Sequence, residues 1–168
     1  MNLNKLAGIC LILLSTCVSA LESDSQQPIF IDSDKAEYDE KAQTSIYIGN
    51  VYATQGSIKI DADKLVVYMS DGNINKLVAT GVPSKFRQLP EVGKEEIFGE
   101  GLLNTFFPDK NLLIFTKNAS VWQGDAKQSS DYIEYDTKLS LLKAGESASD
   151  GKRVHSVIKP KQKANKAQ

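Results

Sequence analysis

Apolar and polar side chains alternate in short runs along most of the chain. Residues 46–68 show the pattern best, with runs rich in Ile, Val and Tyr separated by Gly49-Asn50, by Gln55-Gly56 and by the acidic pair Asp61 and Asp63. Because side chains in a strand alternate sides, Ile58 and Ile60 share one face while Ser57 and Lys59 share the other. The stretch reads as strand, turn, strand, corner, strand. No window repeats its apolar residues at three-to-four spacing, so the pattern predicts an all-β chain without a helix of consequence.

The pattern also repeats. Ile31-Asp32-Ser33-Asp34-Lys35 and Ile60-Asp61-Ala62-Asp63-Lys64 share an opening, and each has a tyrosine a few residues later, Tyr38 and Tyr68. Ser129-Ser130-Asp131-Tyr132-Ile133-Glu134-Tyr135 follows it again, and residues 98–106 more loosely, giving copies about 30 residues apart. After each copy comes a turn and a second run ending near Gly or Asn: residues 45–49, 74–81, 112–118 and 139–145. Such hairpin-like units cannot bury their own apolar faces. Stacked and folded over, they make two facing sheets around an elongated interior, as in a jelly roll or β-solenoid. With no caps in the sequence, both ends of the stack are expected to be open.

Composition changes this picture at the termini. Lys5, the apolar run 6–14 and the small residues Val18-Ser19-Ala20 predict a secretory signal over residues 1–20, cleaved after Ala20. The run is shorter than the roughly 20 residues that span a bilayer. Leu14-Ser15-Thr16-Cys17 offers a lipoprotein-like alternative, disfavoured by the threonine before the cysteine. Cys10 and Cys17 both precede Ala20, so the mature chain is expected to lack disulfides. One domain is expected over residues 21–160, followed by a basic tail, residues 161–168. The formal charge is −1 overall, but residues 21–151 hold 13 basic and 21 acidic residues, a net of −8. An acidic body argues against nucleic acid as a partner.

Candidate chemistry is sparse. His155 is the only histidine and has no thiol to share a metal with, so no metal site is expected. Trp122 reads as a core or rim aromatic. Asp34, Asp63 and Asp131 recur with the repeat and read as corner residues that accept hydrogen bonds from backbone N–H groups. No nucleophile elbow, zinc-protease helix or phosphate-binding loop is present, and neither a catalytic residue nor a cofactor is expected. A carbohydrate-active jelly roll is a weaker reading for want of a histidine-centred site.

Residues 27–34, the block Gly49-Asn50-Val51-Tyr52-Ala53-Thr54-Gln55-Gly56-Ser57-Ile58-Lys59-Ile60-Asp61-Ala62-Asp63-Lys64, then Gly81-Val82-Pro83-Ser84-Lys85-Phe86-Arg87-Gln88, and Gly151-Lys152-Arg153-Val154 before Pro160 carry a resemblance. From about Gln27 to Pro160, the chain resembles the LptA, or OstA-like, family of periplasmic lipopolysaccharide-transport proteins. The resemblance implies a periplasmic β-jelly roll open at both ends, whose copies join head to tail into a bridge between the two membranes. It implies lipopolysaccharide, through its lipid A region, as cargo, and LptC-like inner-membrane and LptD-like outer-membrane components as partners. Matching positions imply lipid contact for Ile29, Ile31, Phe86 and Phe106. The same four side chains suit an ordinary sandwich core, and the sequence leaves both readings open. Asn104 and Pro108 share the alternating face of Phe106 where the family has larger apolar groups, so the register of that strand is open too.

The end strands, residues 28–33 and 153–158, are expected to leave backbone groups unpaired, with Pro28 and Phe30 on one and Val154 and Val157 on the other forming the joint to a neighbour or partner. The competing function is a structural or assembly module of the envelope that docks by strand addition and carries no lipid.

Overall fold

The computed structural model describes residues 24–145 and 153–158. The predicted signal with both cysteines, Pro160 and the basic tail lie outside the described residues.

Ten strands and two single 3-10 turns (Asp24–Gln26 and Pro108–Lys110) make up the described chain. The strands are β1 (Ile29–Asp32), β2 (Lys35–Asp39), β3 (Thr44–Gln55), β4 (Ile58–Ser70), β5 (Asn73–Gln88), β6 (Ile97–Phe107), β7 (Leu112–Gln123), β8 (Ala126–Asp136), β9 (Leu141–Ala144) and β10 (His155–Val157). All belong to one antiparallel sheet in the order β1-β3-β4-β5-β6-β7-β8-β10, with β2 on β3 and β9 on β8. The turn between β4 and β5 is Asp71-Gly72, both at positive φ (+51° and +79°), which suits the right-handed twist of a tight hairpin.

The long strands are each interrupted near the middle. Register skips fall between Ile48 and Val51, Asp61 and Lys64, Thr80 and Ser84, Glu100 and Leu103, and Thr116 and Ala119. The sequence supplies what a bulge needs there: left-handed Gly49-Asn50 in β3, left-handed Lys117-Asn118 in β7, and Gly81-Val82-Pro83 in β5, where proline withholds no ladder bond. The skips form a line across the strands, and the sheet folds along it like a book. One layer holds β1, β10 and the half-strands next to the β3–β4 turn; the other holds β2, β9 and the opposite halves.

Three expectations are corrected here. The runs ending at Gly49 and Gly81 and at Asn118 are half-strands, because the chain continues through the bulge into the other layer. The two facing sheets are consequently two layers of one folded sheet. The expected end strands are also shorter: β1 starts at Ile29, and β10 excludes Arg153, Val154 and Ile158. Asp34 does sit at a corner, but its carboxylate accepts from the side-chain amide of Asn50 (2.8 Å) instead of a backbone N–H, while its own N–H donates to Gly49 O (3.0 Å).

Alternation places the core between the layers. Across the first layer, Ile31, Ala53, Ile60, Phe86, Gly99 and Val121 stand in register. Across the second, Val67, Leu77, Phe106, Leu113, Tyr135 and Leu142 do the same, beside Leu65, Ala79, Asn104, Phe115 and Ile133. Asn104, Phe106 and Pro108 are all buried, so the open register resolves with the three on one inward face.

Candidate functional site

The four residues expected at the lipid all face the interior. Phe86 and Phe106 are buried, and Ile29 and Ile31 on the edge strand pack against the same core. Phe86 and Phe106 come from opposite layers and line one apolar space with Ile60, Leu65, Leu77 and Leu113. Ile29 meets Phe106 around a neighbouring one, with Ala53, Ile58 and Leu77. That second cavity measures about 10 Å³, room for no more than a water. The layers are therefore in contact. Phe86 lies edge-on to Phe115 (centroids 5.9 Å, 75°) and to Tyr135 (6.3 Å, 64°) across the gap. Gly99 makes this approach possible, since a Cβ there would stand 2.2 Å from the Phe115 ring.

At the folded edge, the spine, polar groups are stitched between strands. Ser84 Oγ donates to Gly101 O (3.0 Å), and Asn104 Nδ2 donates to Ser84 O and Oγ (3.1 and 2.7 Å), all buried. Thr116 Oγ1 donates to Leu103 O (3.1 Å).

The opposite edge, the mouth, is where the turn ends of the two layers meet. There Asp24 accepts from Ser57 N (2.7 Å), Ser57 Oγ (2.8 Å) and Gln88 Nε2 (2.7 Å), and Gln88 Oε1 accepts from the Tyr135 hydroxyl (3.3 Å). Gln55 Nε2 ties the incoming chain down by donating to Gln27 O (3.1 Å). A cavity of about 390 Å³ opens beside this clasp between Leu89-Pro90 of one layer and Asn111, Thr137 and Lys138 of the other. Burial pushes the Tyr135 phenol above its ordinary range, and the Asp136 and Asp24 carboxylates add to the effect. Nothing in the sequence pattern joins Asp24, Gln88 and Tyr135, which are brought together only by the fold.

The expected joint residues lie at the two ends of the sheet. Pro28 is exposed just before β1, and Phe30, 64 % exposed, projects to the outer face opposite Thr54. Val157 is on β10 opposite Lys127, and Val154, just before that strand, comes near Gly145. Among the described residues, β1 and β10 each pair on one side only. Each end has a second edge strand that the sequence reading did not separate out, β2 at one end and β9 at the other. Trp122, expected in the core or at the rim, lies on the outer face stacked on Phe98 (5.6 Å, 12°). His155 is exposed, and among the described residues no cluster of His, Cys, Asp or Glu could hold a metal. Nor, among those residues, is any helix long and apolar enough to cross a membrane.

Comparison with known proteins agrees with this architecture. Residues 30–140 match the family described as LptA/(LptD N-terminal domain) LPS transport protein. The chain is 34% identical over 173 residues to the lipopolysaccharide export system protein LptA of Escherichia coli K12, covering all of this chain and 92% of that one. It is 31% identical over 163 residues to LptH of Pseudomonas aeruginosa, covering 94% and 93%. The crystal structure of LptH, described as the LptA-homologous periplasmic component of a lipopolysaccharide transport device, superposes with a TM-score of 0.77 at 28% identity, over 83% of this chain and all of the other. The chain thus belongs to the LptA/(LptD N-terminal domain) family of lipopolysaccharide-transport proteins.

Proposed function

We propose that this protein is a periplasmic lipopolysaccharide carrier that holds acyl chains between its two layers, against Ile29, Ile31, Phe86 and Phe106. The observation that carries the reading is the largely apolar lining between the layers, which runs from Ile29 and Ile31 on β1 to Leu142 and Ala144 on β9, with Asn104 its buried polar member, in a sheet left open at both ends. Acyl chains cannot cross water unaided, since each exposed methylene costs about 0.8 kcal/mol, and such a lining replaces water along the path. The names of the relatives as lipopolysaccharide export proteins support the same cargo.

The layers touch in the closed state, so binding separates them. The test is lipopolysaccharide binding by Ile31→Asp and Phe86→Asp, with folding followed by circular dichroism. A carboxylate placed in the apolar interior costs several kcal/mol or draws in water, so binding falls sharply in any variant that stays folded. Folded variants that bind as the parent does would remove these positions from the lipid path and favour the docking module without cargo.

The unpaired sides of β1 and β10 support head-to-tail joining, in which the last strand of one copy pairs with the first of the next. Such a contact does not close on itself, and LptC-like and LptD-like components of the same fold would continue it. Truncation before Arg153 should abolish concentration-dependent oligomers in size-exclusion chromatography while leaving the domain folded. An unchanged ladder of oligomers would place the joint elsewhere.

A further inference from the structure

One outward-facing row crosses the whole sheet one residue away from the inward row of Phe86. In register it reads Phe30, Thr54, Lys59, Arg87, Phe98, Trp122, Lys127 and Val157, from the first edge strand to the last. It contains three cations and no acid, in a body whose net charge is −8. The adjacent outward row, Asp32, Tyr52, Asp61, Lys85, Glu100, Ser120, Ser129 and His155, carries acids at three of its eight positions. The central five residues, Lys59 to Lys127, sit on adjacent strands and span about 19 Å at the usual strand spacing.

Their side chains are arranged as a platform. Phe98 and Trp122 stack nearly parallel at 5.6 Å, and Lys127 Nζ stands 5.0 Å from the Trp122 ring centre while pairing with Glu100 at 3.7 Å. Among the described residues, Lys59 and Arg87 take part in no ion pair. The row also runs along the mouth. Arg87 precedes the clasp residue Gln88, Lys59 follows the Ser57 that holds Asp24, and Trp122 lies just before the β7–β8 turn. Since successive residues of a strand point to opposite faces, one step along β5 leads from the interior at Gln88 to the exterior at Arg87.

We propose that this row binds the phosphorylated saccharide of the cargo while the acyl chains lie inside, an inference that rests on the carrier reading above. A phosphate cannot follow the chains into the apolar interior without a large desolvation cost, so the head of the amphiphile remains outside, within reach of the mouth. Arginine presents a fork suited to phosphate oxygens, and the outward edge of the stacked Phe98–Trp122 pair offers an apolar surface to the C–H groups of a sugar. Phe30 and Val157 end the row at the two sheet edges, so head-to-tail pairing would carry it from one copy to the next.

The test uses the full mature chain and water-soluble, deacylated lipopolysaccharide that retains its phosphates, titrated by calorimetry at low and moderate salt. Inorganic phosphate and the same oligosaccharide after phosphatase treatment are run alongside. The parent should bind the phosphorylated saccharide, weaken with salt, and bind inorganic phosphate and the dephosphorylated sugar at least tenfold less well. Lys59→Gln combined with Arg87→Gln should lower that affinity about tenfold, and Trp122→Ala several-fold, while thermal stability and binding of a fluorescent fatty acid stay unchanged. No binding by the parent, equal binding by these variants, or inorganic phosphate binding as tightly as the saccharide would each overturn the proposal. The fatty-acid arm separates this from the carrier reading: its loss in Phe86→Asp but not in the row variants tests the interior, whatever the saccharide does.

Discussion

The spine and the mouth of this folded sheet are built from different chemistry. At the spine, buried Ser84, Asn104 and Gly101 are bonded to one another across adjacent strands, and the chain is continuous through every bulge. At the mouth, the layers are joined by the bond from the Tyr135 hydroxyl to Gln88, which also donates to Asp24, beside a cavity of about 390 Å³. Opening at the spine would break buried hydrogen bonds with nothing to replace them. Opening at the mouth breaks a neutral hydrogen bond worth about 1 kcal/mol, with water at hand. Separating the layers also exposes apolar surface, but an acyl chain of about ten methylenes restores about 8 kcal/mol as it is buried there. On the carrier reading proposed above, the spine acts as the hinge and the mouth as the side that parts.

Substitutions on the two sides should behave differently. The largest effect is expected at the spine: Asn104→Ala removes two buried bonds to Ser84 and should destabilise the fold by about 2 kcal/mol or more in chemical denaturation, without easing lipid uptake. Gln88→Ala removes the bonds to Asp24 and Tyr135, which water at the mouth partly replaces, and should lower stability by about 1 to 2 kcal/mol while speeding fatty-acid uptake in stopped-flow fluorescence. If both variants sped uptake alike, the distinction between hinge and mouth would fail.

The smallest effect is expected at Tyr135, and it is a pH effect. Its phenol is held above its ordinary range, chiefly by burial, so the neutral form is favoured in the folded chain. The resulting stabilisation is fully present below the unfolded value of about 10 and is lost as pH rises through the folded value. Thermal melts of the parent should therefore fall more steeply above about pH 10 than those of Tyr135→Phe. Parallel curves would show that this phenol ionises as readily in the folded chain as in the unfolded one.

Much of this was legible in sequence. Alternation at Ile58 and Ile60 gave the strands, and the recurrence of Ile-Asp-small-Asp-Lys marked a strand heading into a corner, since Ile31 and Ile60 do face inward just before one. The inward placement of Phe86 and Phe106 was implied by the family resemblance, and the structure has both buried. What the repeat concealed was that Gly49-Asn50 and Lys117-Asn118 bend a strand without ending it, because bulge and turn draw on the same residues with positive φ. Asp71-Gly72 shows the contrast, a true two-residue turn with the same residue types. The mouth left no local signal, as Gln88 and Tyr135 lie 47 positions apart. The outer row is likewise invisible until register sets Arg87 beside Phe98 and Trp122.

The central claim is that cargo lies between the layers. Its most direct measurement is ultraviolet crosslinking in cells from a photoreactive amino acid placed in turn at Phe86, at Phe106 and at Val78, which faces outward from the second layer between inward Leu77 and Ala79. The account predicts lipopolysaccharide adducts from Phe86 and Phe106 and none from Val78. Adducts from Val78 alone, or equal adducts from all three, would contradict it.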